Sequence, residues 1–546
     1  MATMATMARP AIVVVTARMR YSRLASANGA PCAAPLRVLM PRNEPSRSAA
    51  DIVLAQRHRI FGGLILAMVL AALDQSIVST ALPVIAGELG GLQHLTWVVT
   101  AFMLTSTISA PLYGKLSDMY GRKPFFIACV CIFLVASVLC ATAQSMFALI
   151  AFRALQGLGA GGLMTLSQTI IGSIVPAGER GKYQGLMTGT FAVSSVVGPL
   201  LGGFITSHAS WRWVFYINLP IGAAALALVL TSLPSLARGP ARQIDYRGAV
   251  LICAGTTSLL LLLNSSAAHL ASGRPQTWLL AVVAAAAFML LWRVERHAQE
   301  PFIDPKLFDN LPYTTCVAAS GLMAFAMMGS LVFMPLYYQM VLHQSPQQSG
   351  TMMLPQVGMM VLTSFAGGRF ASGIARTAKL LALGVGLECL GLCLLAVCAH
   401  LGAGVPAFLA TMAVLGAGMG IGMPNATVIV QNAVADRVLG AATATMAFVR
   451  SLGGSFGVAV SGGIMTFVLN RQIEGLGGAV DTQALLDQGI TAIGKLPAAQ
   501  QELIVGIYRA AIGASLVAGG ILMFGGFLLV LRLAVMPEER LVRREG

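Results

Sequence analysis

Fourteen apolar runs, each close to the length needed to cross a bilayer, follow one another along this chain with short polar links between them. Their approximate limits are 60–83, 95–113, 125–143, 147–170, 184–206, 213–232, 247–264, 277–293, 313–336, 351–368, 380–399, 405–430, 441–467 and 508–531. About 20 apolar residues in a helix span a hydrocarbon core of about 30 Å. The expected fold class is therefore an all-α integral membrane protein with 14 transmembrane helices. Composition agrees: 57% of the residues are hydrophobic and 10% charged, where a soluble domain carries about one quarter charged residues. The net charge of +15 sits in the links, so it is no nucleic-acid footprint. The 9 Cys show no metal-binding spacing, and neither a metal nor any other cofactor is expected.

Charge sets the topology. Of the 35 Lys and Arg, twenty-eight fall in alternate links and the two ends, five fall in the other links, and Arg153 and Arg450 lie inside runs. Cytoplasmic loops are the basic ones, so both termini are expected in the cytoplasm. Residues 1–59 form a basic lead-in expected to be disordered, with Ala11–Val15 too short for a signal-peptide core. Met40 is an alternative start. A second short tail covers 532–546.

The link between the second and third runs is Gly114-Lys115-Leu116-Ser117-Asp118-Met119-Tyr120-Gly121-Arg122-Lys123-Pro124. Gly114 and Gly121 permit close approach or positive φ. Asp118 and Arg122 are four apart and able to pair on a helix. A weaker copy, Gly368-Arg369 through Arg376, follows the tenth run, with Ser372 where Asp118 stood. The twelfth run is glycine-rich like the fourth. Two six-helix halves are expected, 60–232 and 313–531, joined by 233–312 with the seventh and eighth helices as an inserted hairpin. Such repeats are common in transporters, with substrate held between them. The polar stretch 468–507 is the longest link and is expected outside.

Ionisable groups inside spans cost about 2.5–3.5 kcal/mol each and are functional hypotheses by default. Asp74 in the first run and Arg153 in the fourth lie at similar depth and are expected to pair. The alternative to a proton-responsive pair is a permanent bridge between helices. Glu388 and Arg450 in the second half either pair with each other or find loop partners, and Glu388 reads as structural. Gly157-Leu158-Gly159-Ala160-Gly161-Gly162 formally satisfies a dinucleotide-binding pattern. It lies inside a span with no preceding strand, and close helix packing explains it better. In the fifth run Gly185, Gly198-Pro199 and Gly202-Gly203 predict a bend or a tight contact.

Several of these stretches together resemble the 14-helix drug:proton antiporter branch of the major facilitator superfamily, over about residues 58–531. The carriers are the Gly114–Lys123 link, Leu73-Asp74 through Pro83, Arg153-Ala154-Leu155-Gln156-Gly157, and Gly185 with Ser194, Gly198-Pro199 and Gly202-Gly203. Trp211-Arg212-Trp213-Val214-Phe215-Tyr216-Ile217-Asn218-Leu219-Pro220, Ser345-Pro346 through Gly350 and Leu354-Pro355 complete the set. The sequence departs from that pattern at Ser76, Ser79 and Ser194. The resemblance implies that Asp74 is proton-responsive and tuned by Arg153. Gly114, Asp118, Gly121, Arg122 and Lys123 would form a cytoplasmic conformational lock, and Gly198-Pro199 would shape the fifth helix so that the pathway stays leak-tight.

The implied function is proton-driven export of hydrophobic or amphipathic drugs across a bacterial cytoplasmic membrane, with a periplasmic adaptor as a conceivable partner. The alternative is export of one specific metabolite. No Walker loop, nucleophile elbow or His/Asp metal cluster appears, so neither an ATP-driven pump nor a membrane enzyme is expected.

Overall fold

The computed structural model describes residues 49–90, 94–234, 245–263, 275–370, 373–474 and 498–536. Asp51–Gly546 is one compact unit. The 1–48 lead-in, the end of the second tail and the middle of the 468–507 link lie outside the described residues.

The described residues form helices throughout and no strand. The long helices are α1 (Ala49–Leu89), α2 (Leu95–Tyr120), α3 (Arg122–Ala141), α4 (Met146–Ile174), α5 (Arg180–His208), α6 (Asn218–Ser232) and α7 (Tyr246–Leu263). After them come α8 (Pro275–His297), α9 (Leu311–Met340), α10 (Leu354–Phe370), α11 (Ile374–Leu401), α12 (Val405–Asn432), α13 (Leu439–Glu474) and α14 (Ala498–Val535). Among the described residues thirteen spans are long and apolar enough to cross a membrane, counting Trp213–Tyr216 with α6. The remaining helix, α10, has 17 residues and is led in by the short helix Pro346–Thr351. Fourteen spanning helices were expected, and their order and placement agree with this.

Local sequence explains most ends. Ser145 caps α4 by accepting from the Ala148 amide, and Asn310 caps α9 by accepting from Tyr313. These side chains satisfy donors that a helix start leaves open. Gly121 takes φ 99° between α2 and α3, a backbone region that L side chains avoid. Gly373 takes φ 81° at the start of α11, two residues short of the position that matches Gly121 in the repeat.

Some expected ends are corrected. Pro83 does not end the first helix; it lies inside α1, which runs on to Leu89. Burial of Ile85 and Ala86 and the bonds from Trp211 and Arg212 to Glu88 hold the last turns despite the lost amide. The expected 468–507 link narrows because α13 runs to Glu474 and α14 starts at Ala498.

The two halves pack by the same rules. In α4, a Cβ on Gly157 or Gly161 would overlap the α2 carbonyls of Phe102 or Ser106, and one on Gly159 or Gly162 would strike α3 at Phe133 or Cys129. In α12, Gly416 and Gly420 meet α10 at Gln356 and Met360, while Gly418 and Gly422 meet α11 at Glu388 and Gly384. Small residues let backbones close where lipid supplies no hydrophobic drive. The Gly157–Gly162 pattern is thus a packing surface. Across the seam, α2 packs on α13 and α5 on α10. The α7–α8 hairpin packs against α2 and α13, with Ile252, Leu291, Phe302 and Phe448 as a small core.

Candidate functional site: a buried charge network beside a central cavity

Helix α1 brings Asp74 to the middle of the first half, where it is fully buried. Arg153 of α4 donates from Nη1 to Asp74 Oδ2 at 2.5 Å. Asp74 Oδ1 accepts from Gln156 Nε2 at 2.9 Å and from Asn218 Nδ2 at 2.7 Å. Arg153 also donates to Gln156 Oε1 at 2.7 Å and to the Val98 carbonyl at 3.4 Å. Ser137 of α3 accepts from Gln156 at 2.8 Å. The guanidinium lies 4.1 Å from the centre of the Phe102 ring. Arg153 and Gln156 share a face of α4 because they are three residues apart.

This arrangement ties α1, α4 and α6 together through one carboxylate, and Ser137 joins α3 to it through Gln156 and Asn218. Two charges removed from water are costly unless every lone pair and proton finds a partner, and here both carboxylate oxygens do. The expected Asp74–Arg153 pair is present. Gln156 and Asn218, which complete it, stand in the sequence inside longer motifs. Their signal was a polar residue one turn from Arg153 and an Asn inside an apolar run.

A cavity of about 340 Å³ lies beside this network, between the halves. Eight methionines line it, among them Met68, Met103, Met164, Met327, Met328 and Met360. Gln75, Gln168, Thr107 and Ser451 supply polar atoms. Phe102 stands between the cavity and Arg153, with Gln75 next to Asp74 on the lining side. Leu260 and Leu263 of α7 also reach it, so the inserted hairpin contributes to the wall.

Arg450 of α13 lines the same cavity. Its guanidinium donates to Gln168 Oε1 at 3.5 Å. Glu388 does not pair with it. Glu388 is fully buried in α11, with neither carboxylate oxygen hydrogen-bonded among the described residues, and it is absent from the cavity wall.

At one end of the bundle the halves are latched. Asp118 Oδ1 accepts from the Gly440 amide at 3.1 Å and Oδ2 from Ala441 at 2.9 Å. A carboxylate of the first half thereby caps the first turn of α13 in the second half, where it also meets the helix dipole favourably. Arg122 pairs with Asp118 at 3.3 Å and donates to the Asp436 carbonyl at 3.4 Å. A Cβ on Gly114 would overlap Ala444 and the Gly440 carbonyl, so glycine on both helices allows this approach. Arg180 adds bonds to the Gln431 carbonyl and Asn432 Oδ1 at 2.8 and 2.7 Å. Gly440, Arg180 and Gln431 were not singled out in the sequence. They are partners across the seam, which spacing along one chain does not reveal.

Other expected site residues fall elsewhere. Lys123 donates to the Leu230 and Leu233 carbonyls at the end of α6 and stays within its own half. In α5, Gly185 lies against the Ser364 carbonyl of α10, Gly198 against Ser76, and Gly202 against Thr80 and the Ile77 carbonyl. Gly203 faces open space, and Pro199 sits inside the helix.

Two pseudo-repeated helical halves around a central cavity, with a buried charge network in one of them, define a membrane transporter of small molecules. The sequence profile of the Major Facilitator Superfamily matches residues 64–458, and the chain belongs to that family. It is 35% identical over 422 residues to the multidrug transporter protein MdtP of Bacillus subtilis, covering 75% of this chain and 76% of MdtP. With Multidrug resistance protein 3 of the same organism it shares 34% identity over 436 residues, 78% of this chain and 84% of the relative. An uncharacterized MFS-type transporter of Mycobacterium tuberculosis is 33% identical over 486 residues, 88% of this chain and 70% of that protein. In fold it resembles the human organic anion transporter MFSD10, with TM-score 0.61 at 15% identity, covering 87% of this chain and 99% of the other.

Proposed function

We propose that this protein exports hydrophobic or amphipathic compounds in exchange for protons by alternating access. The observation that carries the reading is the closed Asp74–Arg153–Gln156–Asn218 network, placed one side chain away from the cavity. A proton on Asp74 would remove the charge that holds Arg153, Gln156 and Asn218, so four helices would repack together. Cargo leaving and proton arriving would then compete for alternative arrangements of the same half. The methionine-lined wall suits several cargoes better than one, because thioether side chains repack around different shapes. The family resemblance and the relatives named multidrug transporters support the same reading.

The basic links assign the latched end, Gly114–Arg122, to the cytoplasm. On that assignment both termini are cytoplasmic, and a bacterial cytoplasmic membrane is the proposed location. With the Asp118 cap made, the halves are joined at that end, and uptake of cargo from the cytoplasm requires that cap to break. An inward proton supplies about 2.3 kcal/mol for each 100 mV of potential, enough for modest uphill export.

The test is dye efflux from energised cells, with and without an uncoupler, beside Asp74→Asn. Efflux abolished by both treatments supports exchange through Asp74. A fully active Asp74→Asn that remains uncoupler-sensitive would move the proton site elsewhere.

A further inference from the structure

We propose that the cavity selects amphipathic organic anions, with the Arg450 guanidinium as the docking group for a carboxylate or sulfonate and the methionine wall as the bed for the apolar remainder. This deepens the export reading and rests on it for direction of transport, but the binding claim stands on the cavity alone.

The cavity contains one formal charge. Arg450 is its only lining residue among Asp, Glu, Lys and Arg among the described residues. Among the described residues no ion pair reaches it, and its hydrogen bond to Gln168 at 3.5 Å is at the limit of bonding geometry. Guanidinium carries five donors in a planar fork suited to a carboxylate or sulfonate. Half-buried on the cavity wall, the guanidinium leaves most of that fork unused and open to an anion, since charges held away from bulk water are normally paired.

The other charges near the cavity are committed. Asp74 could have attracted a cationic cargo, but both its oxygens are taken by Arg153, Gln156 and Asn218. Phe102, one of the two aromatic rings in the wall, already holds Arg153 against its face. A lipophilic cation entering here would meet Arg450 with no carboxylate to offset it. An anion of the same size would gain a charge-assisted pair in a water-poor site. Thr107 and Ser451, bonded to each other at 2.6 Å one residue from Arg450, place hydroxyls beside that position. Gln168 presents its amide to the same spot.

The volume limits the cargo. About 340 Å³ is at the small end of ligand cavities and suits a single aromatic or medium-chain acid rather than a polyanion.

The test measures binding to the purified full-length protein in detergent, without a proton gradient. The probes are dansylglycine, its methyl ester and the matching amine N-dansylethylenediamine, read by dansyl fluorescence. The acid should bind about tenfold or more tighter than the ester or the amine. Arg450→Gln should erase that preference, and Arg450→Lys, which keeps charge but loses the fork, should restore part of it. Size-exclusion profiles and thermal melts of both variants establish that they are folded. An amine bound as tightly as the acid, no binding of any probe, or an acid preference that survives in folded Arg450→Gln overturns the proposal. Because no gradient is applied, failure here leaves proton exchange through Asp74 standing, and an inactive Asp74→Asn leaves the anion preference standing.

Discussion

Arg153 and Asp74 show how much one buried pair depends on its company. The carboxylate accepts three hydrogen bonds, and the guanidinium is held by Gln156, Val98 and the Phe102 ring as well. Breaking such a pair by removing one partner leaves a charge uncompensated, a loss of about 3–5 kcal/mol. Arg153→Ala should therefore lower stability by that amount in detergent unfolding measurements. Adding Asp74→Ala should recover much of it, because the orphan charge goes too. Equal destabilisation by single and double variants would mean that Arg153 acts through packing alone. Gln156→Leu should cost about 1–3 kcal/mol, the penalty for leaving buried donors and acceptors unmade; an unchanged melt would remove Gln156 from the network's support. The pair was legible in the sequence from two ionisable residues at matching depth. Asn218 was not, because an amide in an apolar run carries no charge to flag it, and its role appears only when α6 meets α1.

The α2–α13 contact is an element-scale device. Asp118 sits on the last turn of α2 and satisfies amides on the first turn of α13, so one helix ends where it can cap another. Losing an N-cap costs about 0.5–2 kcal/mol, and about 1 kcal/mol is about a fivefold change in an equilibrium. Asp118→Ala should shift the two halves by about that factor toward separation at this end. Spin labels at the ends of α2 and α13 would report it as a longer-distance population; an unchanged distribution would show that Arg180 and Gln431 hold the latch unaided. Gly440→Val should act in the same direction, since a Cβ there would crowd Asp118 and the Gly114 carbonyl. Asp118 and Gly114 could be read from their tight, charged link. Gly440 lies more than three hundred residues away in an ordinary loop-to-helix junction, and nothing local distinguishes it.

At the scale of the whole molecule, hydrogen bonds between the halves gather at the latched end, with α5 meeting α12 through Gln184 and Gln431 at 3.3 Å. A short thiol cross-linker between Gln184→Cys and Gln431→Cys, in a chain whose native cysteines are replaced, should hold that end shut. Transport should stop on cross-linking and return when a cleavable linker is cut. Continued transport in the fully linked protein would exclude rocking of the halves about the cavity.

The sequence by itself determined the spanning helices, their order and the repeat. Lipid demands about 20 apolar residues per crossing, and that demand is local to each run. It also marked Asp74, Arg153 and Arg450, because charges stand out against an apolar background. Tertiary structure alone decided which of them are spent. It closed Asp74 and Arg153 on each other through Gln156 and Asn218. It separated Glu388 from Arg450, and it left Arg450 facing the cavity without a counter-charge among the described residues. It also ran α1 past Pro83 and set α7 against the cavity wall. Pairing depends on distances between helices far apart in the chain. Those distances follow from where glycines let backbones touch, which a linear pattern of hydrophobicity does not encode.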